Sequence, residues 1–419
     1  MPAPVNTPTI IDLDVIIIGG GIAGLWLLNR ARSAGYQCAL FEHKALGSDQ
    51  TIASQGMIHG GMKYTLAGAL SNASETIAEM PAYWRRCLTG EGDIDLRSTR
   101  ILSDHFFLWS SETASSRLAT FLASKLLRGR VDPVTENYRP SVLRHSQFSG
   151  SLYRIGDLVL DAPSLLTDLA NPVRKQLFHI DWSEVRLQRT ADGQVELLLQ
   201  RADTTLLIRA KKMIFAAGKG NADLLEKLGL THPETQLRPL HQVLIKHNLG
   251  HRFYGHCLGV ESTPRLTISS HPTADGKLVW YMGGSLAENG AQQTPADVIA
   301  SAQQELATLM PWLDFSASEW ATLPVVRAEQ RQKQFARPDD AFVGPATGTS
   351  NLLVAWPTKL TLTPNLAGQV LAILSADGVK PGPTPANLEL LRQYFPHPPI
   401  APTPWELAFP VTHEVSDEE

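Results

Sequence analysis

The chain has 419 residues, 43% of them hydrophobic and 19% charged, with a formal net charge of −4. That length supports two or more cored domains of an ordinary globular protein, and the absence of any basic stretch excludes a surface built to track phosphodiesters, so nucleic acid is not an expected partner. Cys38, Cys87 and Cys257 are scattered, which excludes zinc-type or dithiol spacing and suits a reducing, cytoplasmic setting.

The first ten residues lack the positive segment and apolar stretch of a signal peptide, and no apolar run approaches the roughly 20 residues of a membrane span; peripheral membrane contact is permitted by the composition. Val15 to Ile18 is a short apolar run of the kind a buried parallel strand needs, and it leads into Gly19, Gly21 and Gly24 at GxGxxG spacing. Gly19 permits the tight bend, Gly21 lets backbone approach a pyrophosphate, and Gly24 allows close packing of the following helix, Ile22 to Ala34. Gly35 ends that helix, Gln37 to Phe41 reads as the second strand, and Glu42 closes it with a carboxylate. Such an acid accepts hydrogen bonds from ribose hydroxyls and repels a 2′-phosphate, which disfavours NADP.

Further along, Pro163 marks a helix start in DAPSLLTDLANPVRKQ, and strands are predicted over Ile180–Leu187, Val195–Leu199 and Thr205–Ile208, a meander laid against the parallel sheet with a hairpin turn at Asp192-Gly193. Lys211 to Ala217 gives another buried strand, followed by Gly218, Gly220 and a helix over Asn221–Leu228. From Arg238 to Met282 the pattern alternates as an antiparallel sheet does, with a turn at Asp275-Gly276, which reads as a second domain carrying a mixed or antiparallel sheet, and a helix is predicted over Pro295–Met310. A strand over Leu352–Ala355 leads through a loop to a helix with Thr363 as N-cap and Pro364 in first position. From Gly378 the chain is proline-rich and reads as an extended tail with one helix, Ala386–Tyr394; Asp417 to Glu419 is a solvated acidic end. His241, His247, His251 and His256 cluster, but Asn248, Leu249 and Gly250 break the helix that an HxxxH metal pair would need, so no metal site is expected. Trp280 and Tyr281 read as core or pocket lining.

The order of these motifs resembles the FAD-dependent oxidoreductases of the D-amino-acid oxidase superfamily. Within it, IHGGMKY (Ile58 to Tyr64) and TKLTL (Thr358 to Leu362) are similar to strings of glycerol-3-phosphate dehydrogenase, although Trp356, Pro357 and Thr358 replace the glycines usual before that lysine. L-2-hydroxyglutarate oxidase and the glycine and sarcosine oxidases are comparable. The resemblance implies an α/β fold (α+β overall), in which a discontinuous Rossmann-like FAD-binding domain is joined to a second, antiparallel-sheet substrate domain. Residues 1–95, 151–235 and 326–378 would form the FAD-binding domain, 96–150 a substrate-domain or cap insertion, 236–325 the substrate domain and 379–419 the proline-rich tail.

The resemblance implies FAD as the cofactor, and because flavoproteins fed by NAD(P)H carry a second dinucleotide fingerprint where this chain has one complete one, it implies electrons taken from a bound organic substrate. The resemblance implies flavin contacts from Gly19, Gly21, Gly24, Glu42, Ser54, Gly60, Gly61, Val185, Ala217, Gly218, Thr358, Lys359, Leu360 and Thr361. For catalysis it implies His59 as general base or pocket former, Lys359 as stabiliser of negative charge on the reduced flavin, and Arg327 (with Arg331 or Arg337 as substitutes) as anchor for a carboxylate or phosphate. The leading expectation is hydride transfer from a CH–OH centre of a 2-hydroxy acid or polyol phosphate, with oxygen or a quinone as acceptor. An amine or amino-acid oxidase acting at CH–NH is the alternative. A flavin-binding partner subunit, docking through its tail, is the reading from another class.

Overall fold

The buried run of the first strand organises the molecule. The computed structural model describes residues 8–61, 72–111, 131–201, 204–259, 263–333, 340–383 and 386–410; Tyr64, Arg337 and the acidic end lie outside them. The chain enters with β1 (Thr9–Ile18), α1 (Ile22–Ser33) and β2 (Cys38–Glu42), then leaves for β3 (Met57–Ile58) and α2 (Asn72–Thr89). Five short strands follow, β4 (Ile101–Ser103), β5 (Phe106–Trp109), β6 (Val131–Pro133), β7 (Leu152–Ile155) and β8 (Leu158–Leu160). It returns by α3 (Ala162–Ala170) to β9 (Leu177–His179), β10 (Val185–Arg189), β11 (Val195–Arg201) and β12 (Thr204–Phe215), and α4 (Gly220–Lys227) ends this stretch. Then come β13 (Thr235–His247), β14 (Gly255–Cys257), β15 (Leu266–Pro272), β16 (Leu278–Gly283), α5 (Ser285–Asn289), α6 (Pro295–Leu309) and β17 (Glu319–Gln330). The last elements are β18 (Phe342–Pro345), β19 (Leu352–Trp356), α7 (Thr363–Ala376), α8 (Leu388–Tyr394) and α9 (Pro404–Ala408).

The first sheet runs β10-β11-β12-β1-β2-β9, with β19 on β12 and β18 on β19. β1 is parallel to β2, and β12 is parallel to both β1 and β19, so the central strands are covered on both faces. Val15 and Ile17 face α1 and α7, while Ile16 and Ile18 face the side of α4 and α8. Burying each such side chain contributes about 1.5–3 kcal/mol, which is why every residue of Val15–Ile18 is apolar.

Three expectations are corrected here. The two strands read over Thr205–Ile208 and Lys211–Ala217 are the single β12, whose first half pairs with β11; the meander is therefore hydrogen-bonded into the sheet, not laid against it. The strand read over Ile180–Leu187 is split, because Asp181 closes a turn by accepting from the N–H groups of Ser183 (through its side chain), Glu184 and Val185 (through its carbonyl). α7 begins one position earlier than expected: a 3₁₀ turn, Leu360–Leu362, runs into it, Leu362 holds the cap position, and Thr363, its first residue, donates from Oγ1 to Leu360 O.

The second sheet runs β17-β13-β16-β15-β14-β5-β7-β6. It is mixed: its strands pair antiparallel except that β14 lies parallel to β5, a strand from the segment between Leu96 and Gly150. Its two faces differ. Val243, Ile245, Ile268, Trp280 and Met282 pack under Val298, Ala302 and Leu306 of α6, whereas Gln242, Ser269, His271 and Tyr281 occupy the opposite face at the alternate positions a strand dictates.

The proline-rich segment is not an extended tail. Leu46 N–H donates to Pro399 O at 2.7 Å and Ala401 N–H to Leu46 O at 3.0 Å, so the segment follows the loop after β2. Asn387 caps α8, which starts at Leu388 and not at Ala386; Thr403 and Glu406 form a capping box on α9. Trp405, 2% exposed, packs with Leu244, Val279 and Tyr281 of the second sheet.

Candidate active site

A cleft of about 240 Å³ lies between the C-terminal ends of β1 and β12, the loop from Ser48 to His59, the adjoining strands β13 and β17, and the loop from Trp356 to Leu360. Its floor is the glycine turn. Gly19 has φ +115°, and a Cβ there would stand 2.6 Å from Ala216 O; a Cβ at Gly24 would stand 1.9 Å from Gly19 O. Those two glycines are thus required by packing. Gly21 differs: its backbone is ordinary and a Cβ would meet only Thr51 Oγ1, at 3.2 Å, so the space it leaves belongs to the cleft. α1 opens with no acid in its first turn, and Ile22 N–H donates to Thr51 Oγ1 at 3.1 Å. A backbone cradle under a positive helix end suits a pyrophosphate.

Glu42 is buried. Its Oε2 accepts from Gly20 N–H at 2.6 Å and its Oε1 from Lys44 N–H at 2.8 Å. Burial pushes this carboxyl up, but hydrogen bonds from His43, Gly20 and Lys44 outweigh it and hold it below the usual carboxylate range. The charge therefore stays at the end of β2, with lone pairs left for ribose hydroxyls. At the rim Asp49 receives both Lys44 and Lys219.

At the other end, His59 is buried, and its Nδ1 accepts from Gly61 N–H at 3.3 Å. A neutral ring whose Nδ1 accepts in this way carries its proton on Nε2. Its own N–H donates to Thr361 Oγ1 at 3.1 Å, and Trp84 Nε1 donates to Thr361 O at 3.0 Å. Thr361 thereby staples the His59 loop to the turn before α7. Lys359 follows a tight reversal in which its N–H donates to Pro357 O at 2.6 Å around Thr358, a β-branched residue at φ +60°. Thr358 Oγ1 donates to Asp340 O, and Trp356 Nε1 to Gly218 O, which fix the reversal from two sides.

The structure brings Gly19, Gly21, Glu42, Ser54, His59, Ala217, Gly218, Arg327, Thr358, Lys359 and Leu360 to the walls of one cleft. Gly24, Gly60, Gly61 and Thr361 act behind it: Gly24 by packing, Gly60 by donating to Asp157 Oδ1, and Gly61 and Thr361 by holding His59. Val185 is off the wall, because it opens β10 opposite Leu199 and packs into the core on that side of the sheet. Sequence reasoning missed Thr51, Gln55, Leu240, Gln242 and Val325, which also line the cleft. A glutamine within the apolar alternation of β13 was the one available signal. Trp280 lies in the core under α6, while Tyr281 turns towards the cleft side and donates to Ala53 O.

The clustered histidines have structural surroundings. His251 Nδ1 meets Ser141 Oγ, His256 Nδ1 meets Thr267 Oγ1, and burial pushes His247 down to about 4. Among the described residues no group of three His, Cys, Asp or Glu could hold a metal ion, and no helix is long and apolar enough to cross a membrane.

The cradle, the helix end, the buried acid and the lysine loop fit the two ends of FAD. The family model for FAD-dependent oxidoreductases of the DAO type matches residues 14–370. A Pseudomonas aeruginosa protein named a probable FAD-dependent oxidoreductase is 44% identical over 403 residues, covering 96% of this chain and 100% of that one. The crystal structure of the FAD-dependent oxidoreductase from that organism superposes with a TM-score of 0.80 at 39% identity, over 96% of this chain and 100% of the other. Glycine oxidase from Geobacillus kaustophilus (TM-score 0.62, 17% identity) and L-alpha-glycerophosphate oxidase from Mycoplasma pneumoniae with FAD bound (TM-score 0.63, 14% identity) share the fold; each alignment covers 87% of this chain and 95% of the other. FAD is the cofactor, and the chain belongs to the DAO family of FAD-dependent oxidoreductases.

Proposed function

We propose that this enzyme withdraws an electron pair from a small anionic substrate at a carbon bearing a hydroxyl or an amino group. The supporting observation is the meeting of Arg327, His59 and Lys359 on the walls of the cleft that also holds the dinucleotide turn. Bound FAD supplies the acceptor for the electron pair. The Gly19–Gly21 turn and α1 would hold its pyrophosphate, and Glu42 its ribose hydroxyls. The planar fork of Arg327, on β17, anchors a carboxylate or phosphate; Lys359 and the uncapped start of α7 favour negative charge at the flavin end, and His59 donates from Nε2.

A hydroxyl-bearing substrate, a 2-hydroxy acid or polyol phosphate, is supported by the strings around His59 and Lys359 and by the fold shared with glycerophosphate oxidase; an amino-bearing one has equal support from the fold shared with glycine oxidase. The reduced flavin would pass its electrons to oxygen or a quinone. A partner-subunit role loses its main argument, since the proline-rich segment packs within the chain.

The test is anaerobic addition of hydroxy acids, glycerol phosphate and amino acids to the yellow protein, reading loss of flavin absorbance. One class should bleach it; no bleaching by any would remove the proposal. Arg327→Met should raise KM for that substrate tenfold or more with FAD still bound, and an unchanged KM would take Arg327 out of the site.

A further inference from the structure

Residues 46–55 carry Thr51, Ser54 and Gln55 to the wall of the FAD cleft through a succession of turns, with no helix or extended strand to stiffen them. Such a segment opens locally unless partners outside it hold its ends. At its start, Leu46 N–H donates to Pro399 O at 2.7 Å and Leu46 O accepts from Ala401 N–H at 3.0 Å, a single parallel bridge to the C-terminal segment. Leu46 in turn lies on the glycine turn: a Cβ on Gly20 would stand 2.7 Å from Leu46 Cδ2, and Gly47 N–H donates to Gly20 O at 2.8 Å.

The far end of the loop is held by the second sheet. Ala53 O accepts from the Tyr281 phenol at 2.5 Å, and Gln55 Nε2 donates to Tyr281 O at 2.8 Å and to Ser269 Oγ at 3.2 Å. Behind both partners stands the same C-terminal segment. Trp405 packs against Tyr281, and its ring stacks on His271 at 29° between planes, while His271 Nε2 meets Ser269 Oγ at 2.9 Å. Residues 402–404 separate the two attachments, Ala401 and Trp405. Pro402 and Pro404 fix two of the three φ angles there, and Thr403 is tied into the capping box of α9, so the spacing between the attachments is set by the chain itself.

We propose that residues 399–405 are a stiff strap that fixes both ends of the loop 46–55 at the FAD site, with Trp405 as a positioning residue acting through Tyr281 and His271, so that docking of the strap and binding of FAD strengthen each other. The loop must be ordered for the cofactor to find its wall, and whichever of strap and FAD orders it spares the other that cost. A segment that only added to the stability of the fold would lower the FAD-free and FAD-loaded forms together and leave the affinity of the folded protein for FAD unchanged. The inference needs only that FAD occupies this cleft, and it holds whichever substrate the enzyme oxidises.

The experiment has two arms. In the first, the full chain freed of FAD is titrated with FAD by flavin fluorescence, at a temperature where circular dichroism shows parent and variants folded. Trp405→Ala should bind FAD at least tenfold more weakly. Trp405→Phe, which keeps an aromatic ring against His271, should stay within threefold of the parent, and Leu407→Ser, at an exposed position of the same helix, should match it. In the second arm, amide hydrogen exchange is followed in the unaltered chain with and without FAD. FAD should slow exchange at Leu46 and Ala401 at least tenfold more than at Val298, Ala302 and Leu306 of α6, which report opening of the core under the second sheet. A folded Trp405→Ala with the parental FAD affinity, or a Leu407→Ser that weakens FAD as much as Trp405→Ala does, would overturn the inference. So would exchange slowed no more at Leu46 and Ala401 than in α6, and this second arm decides the matter if Trp405→Ala does not fold.

Discussion

Thr358 is where the chain departs from what its residue types favour. A β-branched side chain at φ +60° costs on the order of 1–3 kcal/mol, and the structure holds it there through the bond to Asp340 O. Thr358→Val keeps the strain and loses the bond, so it is expected to be less stable than the parent by about 1 kcal/mol, while Thr358→Gly loses both and should match or exceed the parent. Urea unfolding midpoints in the opposite order would contradict this. His271 gives a pH dependence: burial pushes it down to about 4 from 6.5, with Asp161 opposing weakly. The unfolded chain binds the proton first on acidification, so this contribution is complete above about pH 6.5 and is lost as pH falls towards 4, at most about 3 kcal/mol. His271→Gln, which retains a partner for Ser269, should flatten stability over that window; an equally steep decline in the variant would assign it to other groups.

At the scale of elements, the glycines of the first turn separate folding from cofactor binding. Gly24→Ala puts a methyl 1.9 Å from Gly19 O and should lower the melting temperature sharply or abolish folding. Gly21→Ala meets only Thr51 Oγ1, and should fold with a parent-like melt but without flavin. A Gly21→Ala protein that purifies yellow would refute the cradle. This unit was legible because strand, turn, helix and acid are contiguous from Val15 to Glu42 and each leaves a local signature. The substrate side was less so. Arg327 was found by resemblance, but Gln55, Gln242 and Tyr281 meet only through strand register and a loop more than a hundred residues away in the chain. Nor does the sequence carry a sign of the reversal at Thr358, since it uses a residue that propensity places elsewhere.

For the molecule as a whole, the proline-rich segment was misread because proline content reports local stiffness and says nothing of what lies beside it. Its described part runs from the loop after β2 to the polar side of the second sheet, where Trp405 stacks on His271 with ring centres 4.5 Å apart. Trp405→Ala should cost about 3–5 kcal/mol by urea titration, as a large buried side chain does. A loss under about 1 kcal/mol would mean that the segment only rests on the surface. The central pairing of β1 with β12 joins positions some two hundred residues apart, so the sheet forms only after the intervening chain has been accommodated.

The unequal faces of the second sheet bear on how such an enzyme changes its diet. The side under α6 carries the cohesion, while Leu240, Gln242, Val325 and Arg327 on β13 and β17 look into the cleft. On the function proposed above, substitutions at those alternate positions would alter what is accepted without unpacking the core, which opens new specificities through a handful of changes on two neighbouring strands.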